Sequence, residues 1–469
     1  MNELLPRRLA RLLQTSPDLA ETYLVGGCVR DALLGTTVKD FDLEVFGMDY
    51  EGLVRVLRRH GRVDLVGRSF GVIKLTVAPG ETYDFTLPRR DSKVAPGHKG
   101  FTVEFDPQLT PQEAACRRDF TINALMWNPH RQELLDFFGG KKDLQDRTLR
   151  HTSPAFVEDP LRVLRGMQFA ARFQLTAASE TLELCRSIQS TFTELPAERV
   201  REEWFKWAAQ STLPSAGLRF LRDSGWLRHF PEIDRLCGVE QDAEWHPEGD
   251  VWTHTLHCLD ALVGLPGWKS SDRETRIVLM MATLAHDFAK PECSHRELRE
   301  GRERIVSPGH EVAGGPRAEA FLQRFGTPPG WIARVVPLVT HHLAHLQDPT
   351  PRAVRRLALR LAPATIEELI LLMTADASGR PPKPAGEPTN ATRLRMAAAE
   401  LQLAATAPQP ILKGRHLLAL GFPAGPRLGP LLAAAFEAQL DGAFSDLTGA
   451  QEWFTSHHEL PPPHHSPTP

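Results

Sequence analysis

Between Tyr23 and Gly47 the sequence runs YLVGGCVRDALLGTTVKDFDLEVFG. Its chemistry-bearing residues are a glycine pair, Gly26 and Gly27, and a carboxylate pair, Asp40 and Asp42. Asp40 to Phe46 alternates acidic and apolar with period two, which predicts a half-buried strand. Such a strand would put Asp40, Asp42 and Glu44 on one face and Phe41, Leu43 and Val45 on the other. Carboxylates two residues apart stand about 7 Å from each other and can converge on hard cations; Mg²⁺ prefers such oxygen ligands together with phosphate. The glycine pair leads into a short helical pattern, and the free N–H groups at such a start favour phosphate. A phosphate cradle beside a carboxylate pair suggests two-metal nucleotidyl transfer. Asp84, on the strand-like run Thr82 to Thr86, could add a further carboxylate or be a solvated strand residue.

Further along come Arg117-Arg118-Asp119-Phe120-Thr121-Ile122-Asn123-Ala124-Leu125 and the turn Asp136-Phe137-Phe138-Gly139-Gly140. Ile122 with Leu125 or Met126 predicts an apolar helical stripe. Glu158-Asp159-Pro160-Leu161-Arg162 then opens a helix whose apolar positions are Leu161, Leu164, Phe169 and Phe173. Asp159 before Pro160 is a good N-cap, but capping does not account for Arg162, one turn on along the same face.

The strings GG-x-VRD-x-LLG-x4-D-x-D, RRD-x-TINAL, D-x-x-GG-x-x-DL and ED-x-x-R together resemble the signature of the tRNA nucleotidyltransferase and bacterial poly(A) polymerase superfamily, whose head is related to DNA polymerase beta. The resemblance implies that Asp40 and Asp42 are catalytic and hold Mg²⁺, and Asp84 remains a further catalytic candidate from its place on the strand. It implies a nucleotide-binding set of Gly26, Gly27, Arg30, Arg117, Arg118, Asp119, Asn123, Asp159, Arg162 and Arg165. Gly26, Gly27 and Arg30 would hold the triphosphate, and Asp119 would accept from the ribose 2′-OH. Asp159 and Arg162 would act as an amino-acid template for CTP or ATP. The pairing is chemically sound, because Asp accepts from the exocyclic amine that C and A share while Arg donates to ring nitrogen or carbonyl acceptors. Glu198, Arg199 and Glu203 resemble the family's neck motif, with a bracing role.

A second group of residues lies between 246 and 376. His254, His286-Asp287, His310, His341-His342 and Asp376 each sit in or beside an apolar helical run. A lone histidine on such a face is commonly a core residue; several helices each presenting a His or Asp point to a metal centre, and imidazole with carboxylate suits Mn, Ni or Co more than Mg. The order H…HD…D resembles the HD superfamily of metal-dependent phosphohydrolases. The resemblance implies ligands His254, His286, Asp287 and Asp376, with His310 and His341 as further candidates. Phe288-Ala289 departs from the family's usual residues after the HD pair and bears on packing. Head, neck and HD domain in this order resemble the gammaproteobacterial type of CCA-adding enzyme. That resemblance implies tRNA, CTP and ATP as partners, and hydrolysis of 2′,3′-cyclic phosphates or 2′-nucleotides at the second site. The alternatives are addition of only CC or only A, a poly(A) polymerase, or a tRNA-binding protein with an inactive head.

The elements that must position these residues alternate between strand and helix up to about residue 150 and are helical beyond it. The expected fold is an α+β nucleotidyltransferase head over 1–150, followed by an all-α neck over 151–230. An all-α HD domain over 231–380 and a helical tail over 381–458 follow, and 459–469 is expected to be disordered. Residues 87–112, basic at first with Arg89, Arg90, Lys93, His98 and Lys99, are expected as an irregular loop. At 469 residues the chain is long enough for several domains, and 42% apolar with 24% charged residues is ordinary for a globular protein. A net charge of −3 requires any nucleic-acid contact to come from a local basic patch. Six scattered cysteines without CxxC spacing read as thiols in a reducing compartment. No leader or membrane-spanning run is apparent, so the expected location is the cytoplasm, with a monomer or homodimer as the assembly.

Overall fold

The computed structural model describes residues 5–38, 40–66, 71–93 and 101–459. The chain divides into two compact units, Met1–Asp234 and Arg235–Pro469.

The first unit is built on a seven-stranded sheet. Its strands are β1 (Thr22–Val25), β2 (Asp42–Val45), β3 (Arg62–Val66), β4 (Val72–Ala78) and β5 (Glu81–Thr86), joined later in the chain by two more. Between them comes a separate hairpin of β6 (Arg89–Lys93) and β7 (Phe101–Phe105). The sheet is completed by β8 (Met126–Asn128) and β9 (Glu133–Leu135), in the order β3-β4-β5-β2-β1-β8-β9. β2 and β5 run parallel, with Asp42 beside Asp84 in register. Every residue of β1 is buried, as expected for a central strand covered on both faces. Helix Arg7–Thr15 packs Leu9 and Leu13 inward, and helix Tyr50–Leu57 does the same with Leu53 and Leu57. The Asp49 side chain caps the latter by accepting from the Gly52 amide at 2.7 Å.

Several expectations need correction here. The predicted alternation at β2 holds for Leu43 and Val45, both fully buried, but Glu44 is buried too, at 4% exposure. The other face of this strand is covered by protein, where Glu44 meets Arg118 at 3.3 Å. The helix expected over 117–126 is a single 3-10 turn, Thr121–Asn123, running into β8. Backbone bonds from Thr121 N to Arg150 O and from Thr152 N to Asp119 O tie the segment to residues 150–152, and helix cannot make those bonds. The loop expected over 87–112 contains the β6–β7 hairpin and the helix Pro111–Cys116; His98 and Lys99 lie outside the described residues.

Helices Leu161–Phe173, Ser179–Ser187, Ala197–Gln210 and Pro214–Asp223 complete the unit. Leu161, Leu164, Phe169 and Phe173 are buried as their spacing requires. A Cβ at Gly166 would stand 2.6 Å from the Phe220 ring, so glycine sets how closely helices Leu161–Phe173 and Pro214–Asp223 approach.

The second unit is mostly helical, around helices Val251–Gly264, Arg273–Ala285, His310–Arg324, Pro329–His341 and Ile366–Ser378. It is not all-α, because His295–Arg299 and Arg302–Val306 form an antiparallel hairpin. The tail helices Gly414–Ala419, Leu428–Asp441 and Leu447–His457 have a core of their own, including Leu417, Ala435 and Phe454. The C-terminal stretch expected to be disordered falls, from residue 460, outside the described residues. Among the described residues no helix is long and apolar enough to cross a membrane, and no disulfide joins the cysteines.

Candidate functional site

In the first unit a cleft of about 500 Å³ opens between the β1–β2 end of the sheet and helices Leu161–Phe173 and Ala197–Gln210. The turn after β1 brings Gly26 and Gly27 to its edge. Gly26 has φ +71°, a left-handed backbone that calls for glycine, and a Cβ there would crowd the tip of Arg118 at 3.1 Å. Asp42, the first residue of β2, lines the cleft and keeps solvent contact. Surrounding protein desolvates its carboxyl and raises its pKa; Arg118 opposes the rise, and Asp84 and Asp40 add to it. This gathering of carboxylates is the donor set a hard cation requires. Asp84 also pairs with Lys74 across β4, at 3.2 Å.

Asp119 is nearly buried, and its oxygens are engaged on three sides. Oδ1 accepts from Phe120 N at 2.8 Å and Asn123 Nδ2 at 2.9 Å, and Oδ2 accepts from Arg165 Nε at 2.7 Å. Burial pushes its pKa up, but Arg165 and these hydrogen bonds outweigh it and hold the carboxyl below its ordinary value. The chain of contacts continues from Asn123 Oδ1 to Arg30, from Arg30 to Asp31 at 2.7 Å, and from Asp31 to Arg172 at 3.7 Å. Arg30 is only 4% exposed, and its guanidinium also lies 4.3 Å from the centroid of the Phe173 ring. It braces the glycine turn while still lining the cleft, where the phosphate contact is expected of it.

Asp159 Oδ1 accepts from the Leu161 amide at 3.1 Å, and Oδ2 pairs with Arg199 at 3.3 Å. Arg162 is anchored through Nη1 to Ala155 O and through Nη2 to Arg117 O, at 2.7 and 2.8 Å. Both residues line the cleft. Arg117 does not; its carbonyl supports Arg162 instead. The sequence reading missed Arg172 and Lys206, which face the cleft, and Arg199, whose bracing role extends to the wall itself. Arg162, Arg165 and Arg172 recur along one helix face, the signal that could have found Arg172. Seven cationic side chains line the cleft against three aspartates, a balance suited to a polyanion.

The second unit gathers the histidines expected from its sequence, with one exchange. His254 Nε2 lies 3.1 Å from Asp376 Oδ1, His286 Nε2 lies 3.2 Å from Asp287 Oδ2, and His310 Nε2 lies 3.3 Å from Asp287 Oδ1. His342, and not His341, joins them, its Nε2 being 3.3 Å from His310 Nε2. Neighbours on a helix point about 100° apart, and His341 lines a different groove beside Arg360. His286, His310 and His342 place Nδ1 at 2.7, 2.6 and 2.7 Å from the carbonyls of Thr283, Ser307 and Val339. A carbonyl only accepts, so each Nδ1 carries the hydrogen and each Nε2 keeps the lone pair a metal needs. His286 Nε2 and both Asp287 oxygens are buried without a properly directed hydrogen bond. Buried donors of this kind fit a bound transition metal.

Burial and the neighbouring His286 push His342 down to about 3, leaving the neutral ring that ligates metals. Burial opposes charge on His254 as well, but Cys258, Asp376 and Glu248 outweigh it and raise that ring well above its ordinary value. Cys258, 3.3 Å from His254 Nε2, and Glu248, 2.8 Å from His254 Nδ1, went unrecognised in the sequence. A pocket of about 360 Å³ opens onto the cluster, with Lys290 and Arg380 beside the carboxylates. Lys290 Nζ is 2.8 Å from Asp287, and Arg380 Nη2 is 2.7 Å from Asp376.

The first unit has the sheet and cleft of a nucleotidyltransferase head, and residues 22–150 match the family model of the poly A polymerase head domain. Multifunctional CCA proteins are similar along most of the chain. That of Nitrosococcus oceani is 37% identical over 369 residues, covering 77% of this chain and 85% of the relative. That of Xanthomonas campestris pv. campestris is 36% identical over 434 residues, covering 88% and 96%. The chain belongs to the multifunctional CCA protein family. Its fold is similar to that of the Bacillus stearothermophilus CCA-adding enzyme in complex with CTP, with a TM-score of 0.66 at 19% identity over 97% of this chain and 98% of the other. The Thermotoga maritima CCA-adding enzyme complexed with tRNA aligns with a TM-score of 0.59, also at 19% identity, over 97% of each chain.

Proposed function

We propose that this protein adds CCA to the 3′ end of tRNA from CTP and ATP, and that its second unit carries a metal-dependent phosphohydrolase. The observation that carries the first activity is a single cleft joining Asp42, an arginine-rich wall and the Asp159/Arg162 pair. Relatives named as CCA proteins, and similar folds solved with CTP, ATP and tRNA, support it.

Asp40, Asp42 and Asp84 would hold Mg²⁺, which when bound neutralises phosphate charge and makes the tRNA 3′-hydroxyl a better nucleophile. Gly26, Gly27 and Arg30 would hold the triphosphate, with Arg118, Arg172 and Lys206 adding positive charge along the same cleft. Asp119 uses three of its roughly four acceptor positions within the protein, and the remaining one takes the ribose 2′-OH hydrogen. Asp159 and Arg162 read the base edge: U and G present donors and acceptors in the opposite sense and would leave these groups unpaired. Arg199 on Asp159 and the two carbonyls on Arg162 keep the pair in place without a nucleic-acid template.

In the second unit His254, His286, Asp287 and Asp376, with His310 and His342, would hold Mn²⁺, Ni²⁺ or Co²⁺, which when bound supplies an activated water for phosphate ester hydrolysis. Lys290 and Arg380 stand where the phosphate charge would be met. By family resemblance the substrates are 2′,3′-cyclic phosphates and 2′-nucleotides, which fits repair of damaged tRNA ends before the head rebuilds them. Incubation with transcripts lacking CCA, transcripts ending in CC and unrelated RNA tests the first activity. Extension of only one tRNA class would reduce it to partial addition, and extension of unrelated RNA would make it a poly(A) polymerase.

A further inference from the structure

The pocket over the second cluster is chemically two-ended. Its floor is ionic, with Asp287, His310, His342 and Asp376 flanked by Lys290 and Arg380. Apolar side chains, Trp245, Ile305 and Leu346 among them, line the pocket beside polar residues such as Gln241 and Asp242. Trp245 is 58% exposed and Leu346 is 69% exposed. Both thus offer apolar surface to a ligand entering the same pocket as the ionic cluster.

Trp245 is also held in place. Its amide donates to Asp242 O at 3.1 Å, and Asp242 is tied to Arg304 of the hairpin strand Arg302–Val306, also at 3.1 Å. Lys383 Nζ stands 4.9 Å from the Trp245 ring centroid, a cation–π contact that steadies the indole. A ring kept in position at the mouth of a pocket is a stacking platform, because every base has a π-face.

We infer that Trp245 is the residue on which the base of a nucleotide stacks while its phosphate reaches the ionic floor. This rests on the phosphohydrolase reading and adds to it a determinant of what is taken: an ester carrying a nucleobase in preference to a bare sugar phosphate. The same chemistry could come from a free mononucleotide or from the last nucleotide of an RNA.

Calorimetry on the full-length protein loaded with Mn²⁺ tests this with ribose phosphate, a nucleoside 2′-monophosphate, and a short RNA ending in a 2′-phosphate. Only binding that disappears in the His286→Ala/Asp287→Ala double variant is counted, which removes any contribution from the head cleft. The nucleotide is expected to bind about tenfold more tightly than ribose phosphate, the scale of one base–aromatic stack. Trp245→Ala is expected to erase that advantage while metal content and ribose phosphate affinity stay as in the wild type, and Trp245→Phe is expected to keep most of it. Loss of the advantage with the mononucleotide supports the platform and assigns it to free nucleotides. Loss seen only with the RNA supports it and assigns it to RNA ends. No base advantage for either nucleotide ligand in the wild type, an advantage that survives Trp245→Ala with both, or equal weakening of ribose phosphate and nucleotide overturns the platform alone. Absence of metal-dependent binding by any phosphate removes the phosphohydrolase reading and the platform with it.

Discussion

Asp42 and Asp84 stand side by side on parallel strands, with Arg118 as the opposing charge for Asp42 and Lys74 for Asp84. Asp42→Ala is expected to cut nucleotide addition by about a thousandfold or more, the scale seen when a group facing the reacting charge is removed. Thermal unfolding should be unchanged, because this side chain sits at the exposed start of β2. Near-normal addition by this variant in Mg²⁺ would remove the metal assignment. Arg162→Ala should act differently, raising incorporation of UTP and GTP relative to CTP and ATP by about ten- to a hundredfold, as expected for losing one specific base contact. Single-nucleotide extension assays read the ratio directly, and an unchanged ratio would leave Asp159 as a helix cap.

The run Arg165–Asp119–Asn123–Arg30–Asp31–Arg172 ties helix Leu161–Phe173 to the glycine turn and to the turn before β8. Asp119→Ala should lower the stability of the first unit by about 2–3 kcal/mol, since it removes charge-assisted bonds and strands their donors. The pH dependence has a definite sign. The Asp119 carboxyl is held below its unfolded value, so its stabilisation is present above roughly pH 4 and is lost as pH falls through the folded value. Urea titrations between pH 5 and 2 should therefore show wild type losing more stability on acidification than Asp119→Asn; equal slopes would mean the carboxylate contributes nothing. At this scale much was legible in the sequence. The strand-like run at 82–86 became β5, and the apolar spacing from Leu161 to Phe173 became a helix. The misses share a cause. Periodicity sees neighbours along the chain, whereas the segment at 117–126 is shaped by bonds to residues 150–152. Nor can it tell which of two adjacent histidines, His341 or His342, faces inward.

The first unit holds the aspartate- and arginine-lined cleft, and the second holds the His/Asp cluster. His286→Ala with Asp287→Ala should abolish transition-metal retention and phosphohydrolysis while leaving CCA addition largely intact. Elemental analysis decides it: undiminished Mn, Ni or Co in the double variant would make these residues core histidines. Metal should also stabilise one unit selectively, by about 2.7 kcal/mol at a hundred times its dissociation constant. Scanning calorimetry should then show one transition that rises with Mn²⁺ and another that does not, and the double variant should lose the response. His286, His310 and His342 add a further consequence, because each ring is tethered to the carbonyl three residues before it. The aim of each lone pair is thus written into four consecutive residues and does not wait for an ion or a neighbouring ligand. If the cluster binds a transition metal as proposed, loading would be a matter of ion dehydration and capture, with no refolding step. Ions of similar size should then exchange through the same preset ring orientations, and replacing one of these rings should leave the other two aimed as before.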